Sequence, residues 1–218
     1  MYKVAIPVAA LLGAGLNLAA GGVAVAAEGD PRIDLGVRAN IVGGTGKPSN
    51  DILGAGLVGH YRLSSRWAVG LSIDHSAEFD VERAPDLVGL TSPEVIDAVG
   101  TSTALTGSLE RAFGRPAGRW EWFVSAGVGI NSVDVDDVSG PLIDGGTFDI
   151  STDAGTELLA LAGVGGRRWL GNKWGVEAQV RAERRFADWQ MVDRVSGATG
   201  TIDDYSVRGI LLTVLRRF

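Results

Sequence analysis

The sequence predicts an all-β protein, an eight-stranded antiparallel up-and-down transmembrane β-barrel. Three observations point there. Beyond Asp30, apolar residues recur at every second position in separate segments, the period of a strand with one apolar face. Short turns alternate with long polar connections along the chain, the layout of barrels that cross a membrane. The closing segment "YSVRGILLTVLRRF" stays apolar up to an aromatic last residue, Phe218, whereas chain ends in water ordinarily fray.

The first segment, "MYKVAIPVAALLGAGLNLAAGGVAVAAEGD", carries Lys3 as its sole charge before Glu28 and ends its apolar run in "AVAA". A basic start, an apolar middle and a small-x-small ending make a secretory signal peptide. Residues 1–27 are read as that signal, with cleavage after Ala27 or one residue earlier, and 28–218 as the barrel domain. Gly13, Gly15, Asn17, Gly21 and Gly22 weaken the competing reading, an anchor helix. Past the signal no run of about 18 apolar residues remains to form a spanning helix. The chain has no Cys, which fits an oxidising compartment. Its formal net charge of −6 argues against a nucleic-acid partner.

The strands follow in order. "RIDLGVRANIV" sets Ile33, Leu35, Val37, Ala39 and Ile41 against Asp34, Gly36, Arg38 and Asn40. "DILGAGLVGHYRL" sets Leu53, Ala55, Leu57, Gly59 and Tyr61 against Gly54, Gly56, His60 and Arg62. "WAVGLSIDHSAEF" alternates Trp67, Val69, Leu71 and Ile73 with Ala68, Gly70, Ser72 and Asp74. Then come "AVGTSTALTGSLERAF", "WEWFVSAGVGINSV", "GTELLALAGVGGRRWL", "WGVEAQVRAERRFADW" and the closing segment. No helix-period stretch separates them, which excludes a βαβ fold. The turns "SSR", "GRPAG" and "GNK" suit tight backbone angles. The remaining connections, including "DVDDVSGPLIDGGTFDISTDA" and "MVDRVSGATGTIDD", are read as long polar loops.

Alternation alone fits two opposite arrangements. A soluble barrel packs its apolar face inward, whereas a membrane barrel turns that face to lipid and fills its lumen with polar groups. Aromatic residues at the segment ends favour the second. Trp67, Trp120, Trp122, Trp169 and Trp174 flank the short turns with Tyr61 nearby, and Phe79, Phe186, Trp189 and Tyr205 lie towards the long loops. Two girdles of this kind suit two membrane interfaces. Leu71, Ile73, Val124, Val176 and Leu212 are then lipid-facing. The opposite face carries Asp34, Arg38, Arg62, Asp74, Glu110, Glu121, Glu177, Arg181, Glu183 and Arg185. Inside a narrow barrel such charges must pair. The alternative is a soluble periplasmic or secreted β-barrel binding a lipid-like ligand, which needs Leu71, Ile73 and Leu212 inside.

The terminal strand resembles the carboxyl-terminal assembly signal of bacterial outer-membrane β-barrels, with Ile210, Leu212, Val214 and Phe218 at alternate positions and Arg216 where that family carries an apolar or aromatic residue. "WFVSAGVGINS" is similar to a mid-barrel strand of the same superfamily. The mature chain as a whole resembles the small eight-stranded barrels, the OmpA-like transmembrane domain and its OmpX- and OmpW-type relatives. That resemblance implies location in the outer membrane of a Gram-negative bacterium and contact with outer-membrane lipid and lipopolysaccharide. It also implies handling by the barrel-assembly machinery during insertion. A monomer with a structural or loop-mediated surface role is expected, or one that passes small hydrophobic molecules.

Candidate chemistry is sparse. Some small barrels are lipid-modifying enzymes with a His–x–Ser arrangement, but here Ser76 directly follows His75, and neighbours on a strand point to opposite faces. His60 is read as a lumen residue. "DVDDVSGPLIDGG" lacks the alternate oxygen ligands of a calcium loop because Val138 interrupts them, so Asp134, Asp136 and Asp137 are read as a solvated acidic loop. Gly163–Gly166 precede no helix and read as barrel strand. No catalytic residue, metal or cofactor is expected.

Overall fold

In the computed structural model the described residues are 33–45, 52–82, 97–113, 120–142 and 145–218. The predicted signal segment lies outside them. The strands are β1 (Ile33–Thr45), β2 (Ile52–Arg62), β3 (Trp67–Glu82), β4 (Asp97–Phe113), β5 (Trp120–Val135), β6 (Val138–Pro141), β7 (Thr147–Asp153), β8 (Thr156–Leu170), β9 (Trp174–Phe186), β10 (Trp189–Asp193), β11 (Thr199–Ile202) and β12 (Tyr205–Arg217).

Eight of them close a barrel in the order β1-β12-β9-β8-β5-β4-β3-β2. Every neighbouring pair is antiparallel, and closure runs from Asp34↔Arg217 to Thr45↔Ser206. A closed sheet leaves no edge with unpaired backbone groups, which hydrocarbon demands. The eight strands run from 11 residues in β2 to 17 in β4. A tilted strand needs about 9–11 residues to cross a bilayer's hydrocarbon, and each of the eight is at least that long. Within the wall, Gly165 faces inward against Phe123. Any side chain there would collide with that ring.

The side-chain period of two sorts the faces cleanly on β9, where Trp174, Val176, Ala178, Val180 and Ala182 are exposed and the residues between them are buried. Leu71, Val124, Val176 and Leu212 are 60%, 43%, 40% and 54% exposed. Ile73 is half-buried on the same outer face, between Leu57 and Leu105. Buried charges occupy the interior. This inside-out distribution is the reverse of the arrangement a soluble ligand-binding barrel requires.

Two polar loops of the sequence reading turn out to contain strands. β6 and β7 lie in the connection after β5, and β10 and β11 in the one after β9. They form a second antiparallel sheet in the order β11-β10-β7-β6. Ile150, Trp189 and Met191 are wholly buried in its core, which joins Val42, Val133, Val135 and Val207 from the long-loop ends of the barrel strands. Trp189 and Tyr205 are therefore not girdle residues. They are 0% and 6% exposed and meet edge-to-face at 5.8 Å. Phe79's side chain lies outside the described set. Trp67, Trp120, Trp122, Trp174 and Phe186 are exposed near the barrel ends.

Candidate functional site

The lumen holds the molecule's concentrated chemistry, in tiers that follow from strand register. At the short-turn end Asp34 is wholly buried. It accepts hydrogen bonds from Arg62 Nε at 3.1 Å and Arg217 Nε at 2.9 Å. Trp169, assigned to the girdle on sequence, instead points inward. The Arg217 guanidinium lies 3.4 Å from its ring centroid, and Arg62 approaches the same ring at 5.7 Å. Strand parity explains this, because Trp169 shares the inner face of β8 with Arg167.

Arg167 is the hub of the next tier. Its Nε donates to Glu177 at 2.7 Å, and its terminal nitrogens reach Glu110 at 3.2 Å and Glu121 at 3.4 Å. The guanidinium lies 5.1 Å from the Phe123 ring centroid. His60 Nδ1 sits 3.0 Å from Glu110 Oε1. Glu121 also faces Arg62 at 3.5 Å, linking the two tiers.

Above them Arg38 pairs with Asp74, with Nε to Oδ1 at 2.6 Å, and its Nη2 donates to Ser72 Oγ. Arg181 reaches Glu183 at 2.7 Å and Asp74 at 3.9 Å. Arg185 reaches Glu183 at 3.0 Å and donates to the Tyr205 hydroxyl at 3.4 Å. Glu177, Gln179, Arg181, Glu183 and Arg185 are successive inward positions of β9, so a single strand supplies much of the network. Under the outer sheet, Glu157 accepts from Trp189 Nε1 at 2.6 Å, Asn131 Nδ2 at 3.0 Å and Tyr205 at 3.1 Å.

All ten charges assigned to the lumen on sequence are thus inside. Among the described residues, Arg167, Glu157 and Arg217 are the ones that reading missed. Nor is the inner face wholly polar, because Leu159 and Leu161 pack there with Ala104. An isolated buried charge costs several kcal/mol, and removing one partner of a buried pair costs about 3–5 kcal/mol. The interlocked pairs above avoid that cost. Between them a small polar cavity remains, lined by Arg38, His60, Ser72, Glu110, Gln179 and Arg181 among others.

The remaining candidates carry no catalytic geometry. His75 is exposed on the outer wall and lies 3.0 Å from Thr103 Oγ1, while Ser76 is buried on the inner face. Asp137 pairs with Arg194 at 2.8 Å. Among the described residues no His/Asp/Glu group of three or more is arranged to hold a metal. In the outer sheet Asp193 is buried, which disfavours its charged form. Donors from the Ser196 hydroxyl and the backbone N–H groups of Asp149, Ser196 and Val195 outweigh that and hold its pKa below the usual carboxylate value.

A closed barrel with an apolar wall and a plugged, charged interior is the architecture of small outer-membrane barrels. No protein-family model matches the sequence, and no curated protein matches it. Solved structures do share the fold. Neisserial surface protein A is 11% identical with a TM-score of 0.56, over 88% of this chain and 100% of that one. The outer membrane protein OprG of Pseudomonas aeruginosa is 12% identical with a TM-score of 0.58, over 87% of this chain and 96% of that one. At such identities the likeness is one of fold, and the fold is that of the small eight-stranded outer-membrane β-barrels.

Proposed function

We propose that the chain is a non-enzymatic barrel of the Gram-negative outer membrane, acting as a structural element or through its long loops at the cell surface. The observation that carries this reading is the pairing of an apolar wall with a lumen filled by interlocked ion pairs. An apolar wall suits lipid, and a filled lumen suits anchorage better than passage. The apolar core beneath the outer sheet adds a second layer over the mouth, so transit of hydrophobic molecules along the full lumen is the weaker role. The outward positions of Ile210, Leu212, Val214 and Phe218 support a part for the last strand in barrel assembly.

Fractionation tests the location. The mature protein should remain with the outer-membrane fraction and enter solution only with detergent, and recovery as a soluble periplasmic species would overturn the reading. Its loops should be accessible to protease added to intact cells.

A further inference from the structure

The outer wall carries a basic collar at its short-turn end. Arg216 on β12 stands opposite Trp174 on β9, Arg168 on β8 opposite Trp120 on β5, and Arg111 on β4 opposite Trp67 on β3. In each case the guanidinium lies over its partner's ring, at 5.7, 5.5 and 5.5 Å from the centroid. Arg216 and Arg111 also lie over Phe218 and Phe113, at 5.0 and 5.4 Å. One Arg–Trp pair would be an ordinary cross-strand contact. Three at the same end, spread over six adjoining strands, form a band.

The band's charge is unbalanced. Among the described residues none of the three arginines takes part in a salt bridge, in contrast to the paired arginines of the lumen. Arg168 Nε is buried without a hydrogen-bond partner. The described turns at this end, "SSR" and "GNK", add Arg66 and Lys173 and no acid. Contact with the rings holds each guanidinium against the wall, and no salt bridge among the described residues competes for its donors. A guanidinium edge matches the oxygens of a phosphate. The neighbouring tryptophans belong at headgroup depth.

We propose that this collar binds the headgroup phosphates of anionic phospholipids in the membrane leaflet at the short-turn end. The inference rests on the membrane reading above and deepens it by naming the lipid class. It also fixes the barrel's seat, because bound phosphates define the depth of that interface.

Tryptophan quenching in vesicles tests it. Trp67, Trp120, Trp122 and Trp174 lie in the collar, whereas Trp169 and Trp189 are inside. The full mature chain is refolded into phosphatidylcholine vesicles containing either brominated phosphatidylglycerol or brominated phosphatidylcholine, with the bromine near the headgroup end of the acyl chain. The phosphatidylglycerol should quench selectively, with a relative affinity of roughly fivefold or more, since a basic residue near an anionic surface contributes about 1 kcal/mol. The triple variant Arg111→Gln/Arg168→Gln/Arg216→Gln should lose that selectivity, and the triple Lys variant should keep most of it. If the triple Gln variant does not refold, the three single Gln variants are read, each losing part of the selectivity. Equal quenching by the two lipids, or selectivity unchanged in the Gln variants, overturns the proposal. So does selectivity abolished by inorganic phosphate, which would make the site one for the free ion. Failure to insert into vesicles of either composition would instead count against the membrane reading itself.

Discussion

Arg167 is buried among three carboxylates and touches Glu177, Glu110 and Glu121. Its removal takes a cation from all three, and among the described residues Glu177 has no other ion-pair partner. Arg167→Ala should destabilise the refolded barrel by at least the roughly 3–5 kcal/mol expected for breaking one buried pair. Arg181→Ala should cost less than that, since Glu183 keeps Arg185 as a partner. Removing Glu183 together with Arg181 should not add the two single costs, because each deletion relieves the other. Denaturant titration in detergent micelles measures all of these, and strictly additive losses would contradict a coupled network. The charges on β9 were legible in the sequence because the alternation runs unbroken from Trp174 to Glu183 and carries Arg185 in phase past Arg184. Arg167 was not, because "GRRWL" places two arginines side by side while Leu158 and Leu159 precede them on opposite faces. Composition does not say which phase faces in, and only the pairing with β5 and β9 puts Arg167 inside and Arg168 outside.

At the scale of elements, the eight long strands could be read from the sequence and the four short ones could not. β6 and β11 have four residues each, too few for a period of two to stand out from a polar loop. The strand propensity of "WQMVD" is expressed only because Trp189 and Met191 find an apolar core to enter. Trp189→Ala should cost about 3–5 kcal/mol of local stability. The barrel wall should survive it, so the loss should appear as faster proteolysis within residues 187–204 and little change in barrel unfolding. The turn after β10 adds a pH dependence. A carboxylate whose folded pKa is depressed contributes stability above its unfolded value of about 3.9, and that stability is lost as pH falls through the folded pKa. The backbone N–H resonances of Val195, Ser196 and Asp149 should therefore shift together at a midpoint below the ordinary Asp range. In Asp193→Asn that shift should vanish. A midpoint at or above the ordinary value would show that the donors around Asp193 do not stabilise its charge. On the outer wall, Leu71→Arg and Val176→Arg should each destabilise the barrel in lipid by about 2–4 kcal/mol if they lie near the midplane. Unchanged stability in bilayers would place those positions outside the hydrocarbon.

The molecule as a whole is a wall with two unlike surfaces, and its transport behaviour follows from the inner one. An eight-stranded barrel is just wide enough for side chains to fill. Here long charged side chains from β1, β3, β4, β8 and β9 meet across that width. An ion entering from the short-turn end first meets Asp34 held by Arg62 and Arg217 over Trp169, then the Arg167 cluster. At the other end the mouth lies under the outer sheet, with Glu157 held by Trp189 and Tyr205. To pass, an ion must break pairs whose separated members would remain buried, and each such break costs several kcal/mol. The purified wild-type barrel should therefore give low conductance in planar bilayers. Arg167→Ala, if it folds, removes the central guanidinium and leaves three acids around the vacated space. Conductance should then rise and favour cations, since a ring of carboxylates attracts them. A large, stable conductance from the wild-type protein would mean that the ion pairs open at little cost, and the reading of the lumen as a plug would fall with them.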